Sequence, residues 1–172
     1  VMDFSKPSAP RLSPVCINRA VEEAIKLAAV TLRKSGVSIE TKLETALPPC
    51  PADLSMLEQV LLNLLTNAAQ AMTRWKGEKK IAVQTWQHED GVAVAVADSG
   101  PGIALENRTK IFDPFFTTKS DGSGIGLSLC QRIITDHRGT LTVGTSRWGG
   151  AEFRIEIPLE QTQGKRFDVL HA

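Results

Sequence analysis

No sign of charge dominates this chain of 172 residues: twenty Lys and Arg stand against nineteen Asp and Glu, leaving +1. A nucleic-acid or membrane-surface protein would carry a basic excess, so neither partner is expected. Long hydrophobic runs are missing as well. The stretch Leu61–Leu65 is broken by Asn63 and falls far short of the roughly 20 apolar residues that span a bilayer. The opening VMDFSKPSAP lacks the apolar core of a signal peptide. It starts without Met, which reads as a piece of something longer. Cysteine is sparse: Cys16, Cys50 and Cys130 cannot all pair and lack metal-type spacing, so a reducing, cytoplasmic setting is expected. What is present is ordinary for a globular fold, with 42% apolar and 23% charged residues. At roughly 100–200 residues per domain, one domain fits the length, and its core needs no staples.

Residues 1–17, with Pro7, Pro10 and Pro14, read as an extended connector. Asn18 is a candidate N-cap for a helix reaching about Ser35, with Val21, Ala24, Ile25, Ala28 and Leu32 at helical spacing and Gly36 at the C′ position. Val37, Ile39, Thr41 and Leu43 alternate as in a strand, and a Pro-Pro-Cys-Pro loop follows. A second helix is expected from near Asp53 to about Arg74. Two strands, 80–87 and 92–97, meet at an Asp90-Gly91 turn. Residues 98–126 are too long for a structureless connector unless functional. A third helix spans about 125–136, ended by Gly139, and strands 140–146 and 152–158 follow. The ordered unit is 18–159, and 160–172 read as a tail. Clustered strands with short hairpins predict an α+β two-layer sandwich: one mixed sheet with helices on one face.

Three clusters could carry chemistry. Asn63 and Asn67 lie four residues apart on one helix face. Their amide oxygens suit Mg²⁺ that also binds phosphate, or they form a polar stripe. Asp98-Ser-Gly100-Pro-Gly102 ends an apolar strand. Its carboxylate could accept from a base amino group while the glycines admit a flat ring, or it is a strand-ending turn. Gly122-Ser-Gly124-Ile125-Gly126-Leu127 precedes a helix and could cradle phosphate or act as a flexible lid. A dinucleotide fingerprint would need a strand directly before it, and no Walker A loop occurs.

In this order, these clusters resemble the ATP-binding catalytic domain of sensor histidine kinases, a branch of the gyrase, Hsp90, histidine kinase and MutL superfamily. The resemblance runs from Asn18 to Leu159. It rests on Asn63–Ala71, Asp98–Gly102, Phe112-Asp-Pro-Phe-Phe116 with Thr-Thr-Lys119, Gly122–Leu127 and Gly149-Gly150-Ala-Glu-Phe153. The resemblance implies a Bergerat-type fold of one mixed sheet backed by three helices, with a long ATP lid. It implies ATP and Mg²⁺ as cofactors, Asn67 as the metal ligand with Asn63 in support, and Asp98 as the acceptor of the adenine amino hydrogen. Gly102 would let the purine pack close, Gly124 and Gly126 would give backbone contacts to the phosphates, and Lys119 would reach the outer ones. Gly100, Ile103, Phe112, Gly122, Ile125 and Leu127 would also belong to the nucleotide site. Phe112, Phe115 and Phe116 would latch the lid by burying apolar surface.

Hydrolases of the superfamily carry a Glu one turn before the metal Asn. Asn63 stands there, and an amide takes no proton at neutral pH. Glu58 lies about 180° round the helix from Asn67. Phosphoryl transfer to a protein side chain is therefore expected over hydrolysis, and the resemblance implies a histidine as that side chain, with Asn63, Asn67 and Lys119 as catalytic residues. Alternatives sharing these boxes are an anti-sigma-type serine kinase and a non-catalytic ATP-binding module. His88, His137 and His171 do not match the family's phosphoacceptor pattern. The acceptor and the dimerisation helices are thus expected in a missing segment. This domain alone would be a monomer, the full-length protein a homodimer, with a response regulator downstream and any membrane anchor elsewhere. Two departures stand out. Ala151 replaces a frequent Thr, which would weaken a lid-side or phosphate-side contact, and Arg138 replaces a frequent Gly without expected consequence.

Overall fold

A computed structural model describes residues 9–116 and 126–160. The strands are β1 (Ser13–Val15), β2 (Ser38–Leu43), β3 (Cys50–Ala52), β4 (Lys80–His88), β5 (Gly91–Asp98), β6 (Thr140–Thr145) and β7 (Ala151–Pro158). The helices are α1 (Ile17–Lys34), α2 (Leu54–Ala71) and α3 (Gly126–Asp136). Two single 3₁₀ turns, Leu105–Asn107 and Lys110–Phe112, lie between β5 and α3.

Five strands form one mixed sheet in the order β2-β4-β5-β7-β6. β2 runs parallel to β4, and every other pair is antiparallel. The parallel pair is possible because α2 carries the chain back between the two strands. Strand side chains alternate between faces. Ile81 and Val83, then Val92, Val94 and Val96, then Phe153, Ile155 and Ile157 face the helices. There they meet Ala24 and Leu32 of α1, Leu57, Leu61 and Leu64 of α2, and Ile133 and Ile134 of α3. On the other face of β5 stand Ala93, Ala95 and Ala97, also buried. Trp86 lies opposite Ala93 and Arg154 opposite Ala95, and the Arg154 guanidinium lies 4.8 Å from the Trp86 ring centre. Small residues beneath long ones thus close the outer face.

The stretch expected as connector contributes β1, which pairs with β3 in a separate two-stranded ribbon. β3 in turn occupies the expected Pro-rich loop. Asn18 is not the helix cap. Ile17 opens α1 after Cys16, whose side chain makes no capping bond. The Asn18 side chain instead accepts from the Thr85 hydroxyl (2.7 Å) and donates to the Glu44 carbonyl (2.8 Å). Thr85 is buried in the sheet, and a buried hydroxyl needs such a partner.

Asp53 caps α2 as the sequence suggests. One carboxyl oxygen accepts from the Met56 amide (3.3 Å) and the Ser55 hydroxyl (2.8 Å). The other accepts from the Arg11 amide (3.0 Å). These bonds, Arg11 first, hold its carboxyl below the usual carboxylate range. The Asp53 amide donates to Nε2 of His137 (3.0 Å). Nδ1 of His137 lies 2.8 Å from the Ile133 carbonyl, so the neutral ring with its proton on Nδ1 satisfies both contacts. His137 is fully buried and clamps the end of α3 to the start of α2.

Helices α1 and α3 end alike. Val37 and Gly36 donate to Leu32 and Arg33, and Gly139 and Arg138 donate to Ile134 and Thr135. This is the paired-bond ending that needs a left-handed residue after the cap. In α1 that residue is Gly36 (φ 69°), and in α3 it is Arg138 (φ 60°). The expectation that Gly139 terminates α3 therefore misses by one residue. The Arg at 138 is not neutral either, because a side chain there crowds its own backbone.

Arg138→Gly should stabilise the chain by about 1 kcal/mol, the left-handed penalty less the glycine entropy, visible as a higher urea midpoint. His137→Ala should cost about 3 kcal/mol, because it leaves a cavity and an unpaired Asp53 amide. The same denaturation series checks both.

Candidate nucleotide site

Asp98 closes β5. Val92, Val94, Val96 and Asp98 share one face by strand alternation, so the carboxyl emerges on the helix side of the sheet. It is buried, and desolvation pushes its pKa above the usual Asp value, only partly opposed by hydrogen bonds from Gly100 and Ala151. Both bonds reach the same oxygen: the Gly100 amide at 2.9 Å and the Ala151 amide at 3.2 Å. Among the described residues the second oxygen accepts none.

The wall behind Asp98 is backbone. Gly150 lies so close that a Cβ there would run into the Asp98 carbonyl and carboxyl. Gly102 has φ 79° and lies against the Gly149 carbonyl, a turn that L side chains resist. Ala151 stands at Asp98. What it supplies is its amide.

Helix α2 flanks this point. Its C-cap Met72 is fully buried, and the Ser99 hydroxyl lies 3.6 Å from its sulfur. Asn67 sits five residues earlier, about 7.5 Å along the axis. Asn63 lies one further turn back, and both are half-buried. The Asn63 amide nitrogen donates to the Cys130 sulfur of α3 (3.7 Å). Among the described residues its amide oxygen accepts no bond. Burial raises the Cys130 thiol to about 11, so it stays protonated and packs as a small apolar group.

Ile103 and Phe112 pack partly buried against the core. The Phe112 and Phe153 rings meet edge-to-face with centroids 6.4 Å apart. Phe116 is also partly buried against the core. Phe115 is 73% exposed and has φ 67°. Gly126 and Leu127 open α3. Lys119, Gly122, Gly124 and Ile125 lie outside the described residues. The structure therefore ties Gly100 to Asp98 and Asn63 of α2 to Cys130 of α3, and it seats Ile103 and Phe112 against the same core. Among the described residues no three His, Cys, Asp or Glu side chains gather as metal ligands, and no helix is long and apolar enough to cross a membrane.

Sequence reasoning missed Ser146. It is buried, and its hydroxyl donates to the Asp98 backbone carbonyl (2.6 Å). Its only local signal is a serine ending a strand before a Trp-Gly-Gly turn.

Residues 52–161 match the family described as histidine kinase-, DNA gyrase B-, and HSP90-like ATPase. The signal transduction histidine-protein kinase AtoS of Escherichia coli K12 is 41% identical over 92% of this chain and 26% of its own length. The C4-dicarboxylate transport sensor protein DctS of Rhodobacter capsulatus is 33% identical over 94% of this chain and 25% of its own. The chain thus spans about a quarter of these relatives. The nucleotide-free catalytic domain of histidine kinase ThkA superimposes with a TM-score of 0.77 at 34% identity, covering 87% of this chain and 96% of that domain. ThkA in complex with the response regulator protein TrrA gives 0.77 at 30% identity, covering 91% and 44%. Full-length ShkA with AMPPNP gives 0.76 at 30% identity, covering 88% and 32%. With the boxes in order, the sheet and helices matched and the family model covering most of the chain, it belongs to the histidine kinase-, DNA gyrase B- and HSP90-like ATPases, as a catalytic domain of the histidine kinase type.

Proposed function

We propose that this chain binds MgATP and passes the γ-phosphoryl group to a histidine on a dimerisation segment outside it, serving a cytoplasmic two-component sensor kinase. The observation that carries the reading is Asp98: a buried carboxylate with one oxygen held by two backbone amides and the other without a donor among the described residues. Adenine offers an amino hydrogen to that oxygen. Guanine would set its O6 acceptor against it, leaving buried polar groups unpaired at a cost of about 1–3 kcal/mol. Gly150 lets β7 close on Asp98, and by the resemblance Gly102 admits a flat ring with Ile103 beside it.

The half-buried Asn67 and Asn63 amides suit a hard cation whose other ligands are phosphate oxygens and water. Bound there, Mg²⁺ would neutralise charge on the transferring group. The α3 N-terminus at Gly126 and Leu127 offers amides and positive potential to phosphate. By the resemblance, Lys119, Gly122, Gly124 and Ile125 complete that cradle. In the transfer step an imidazole nitrogen bonds to the γ-phosphorus as the bond to the β–γ bridging oxygen breaks, and ADP leaves. Positioning and charge stabilisation carry most of such a step. With Asn63 where a hydrolase has its Glu, no side chain there activates water. A response regulator would then take the phosphoryl group, as the ThkA complex with TrrA suggests.

Neither described histidine suits the acceptor role. His137 is buried with both ring nitrogens engaged. His88 pairs with Gly91 at the far end of β5 from Asp98, roughly 23 Å away by strand rise.

Calorimetry should show MgATP binding that Asp98→Asn abolishes or weakens at least about tenfold, the size of one charge-assisted hydrogen bond. Asn67→Ala should remove most of the Mg²⁺ dependence. Since the ionised carboxylate accepts the amino hydrogen and its pKa is raised, ATP affinity should fall on acidification, beginning above the ordinary Asp range. With labelled ATP the chain alone should gain no acid-labile phosphate. Adding a cognate dimerisation segment should produce it there, and labelling of this chain itself would overturn the assignment.

A further inference from the structure

The Ser146 hydroxyl uses its whole hydrogen-bonding capacity on one task. Its proton goes to the Asp98 backbone carbonyl at 2.6 Å. Its lone pairs accept from the Gly150 amide at 3.0 Å and the Trp148 amide at 3.2 Å. One donor and two acceptor sites are all a serine has. The next amide along, Ala151, donates to the Asp98 carboxyl. Ser146 therefore grips Asp98 twice, at its carbonyl directly and at its carboxyl through Gly150 and Ala151. The β5–β7 ladder ends at the Ala97–Glu152 pair, so no strand partner takes over the Asp98 carbonyl on that side.

We infer that Ser146 is a positioning residue that sets the preference for a 6-aminopurine, by fixing the Asp98 carboxylate through the β6–β7 turn. This rests on the reading of Asp98 given above. The turn has independent support from outside. Arg147 stacks 4.4 Å from the Trp148 ring centre, Lys80 lies 5.9 Å from it, and Arg147 pairs with Glu40. Losing the hydroxyl thus loosens the inner grip while the outer one holds. A positioning role differs from a scaffold role in what it moves. A scaffold defect weakens every nucleoside triphosphate alike, whereas a displaced carboxylate weakens only the ligand that donates to it.

The test measures Mg²⁺-dependent binding of ATP and of purine riboside 5′-triphosphate, which lacks the 6-amino group, to the full chain and to Ser146→Ala. The parent should prefer ATP. Ser146→Ala should lose roughly tenfold in ATP affinity, about one hydrogen bond's worth, and keep its affinity for the deaminated analogue. Equal weakening of both ligands, or an unchanged ATP preference, would overturn the inference while leaving the Asp98 reading intact. A parent that binds both ligands equally would instead overturn the Asp98 reading and this inference with it. A thermal melt reports folding. If Ser146→Ala unfolds, Ser146→Cys keeps the shape with weak hydrogen bonds, and an unchanged ATP preference in that variant is equally decisive against the inference.

Discussion

A carboxylate kept out of water governs the arrangement. Burial disfavours the charged form of Asp98, as its raised pKa states. Above the unfolded pKa that burial opposes folding, and the opposition fades as acid protonates the group. Two backbone amides offset part of it, and everything around them is arranged to deliver those amides. β5 must keep its register, because a slip of one residue would turn Asp98 to the outer face among Ala93, Ala95 and Ala97. β7 must approach without a side chain, hence Gly150. Met72 must fill the space under Ser99, which fixes where α2 ends and so how far Asn67 stands from the carboxyl.

The helices obey a second constraint, that their ends be satisfied. α2 begins on Asp53, whose amide reaches His137 at the close of α3. One buried imidazole thereby joins two of the helices that flank the proposed nucleotide site. Asn63 and Cys130 make a further contact between the same two helices. The separation between α2 and α3 is thus fixed at two heights.

Local pattern carried much of this. The apolar spacing of Val21, Ala24, Ala28 and Leu32, the alternation through β4 and β5, the Asp53 cap and the Gly36 ending are all readable within a few residues. The ordered boxes around Asn67, Asp98 and Gly126 made the family legible. What stayed hidden depends on partners distant along the chain. Asn18 looks like a cap until Thr85 arrives beside it. β1 has too few residues to announce itself and exists because β3 lies opposite. Ser146 gains meaning only from Asp98, and Ala151 reaches Asp98 by its amide, which no side-chain pattern announces. Arg138 reads as a harmless replacement for a frequent Gly, and only the backbone angle shows the crowding it endures.

The Arg11 amide has a mechanical corollary. It is bonded to the carboxyl that caps α2, while β1, two residues further on, is stitched to β3 just before that cap. Tension or torsion that reaches residue 11 is consequently delivered to the first turn of α2 and, through His137, to the last turn of α3.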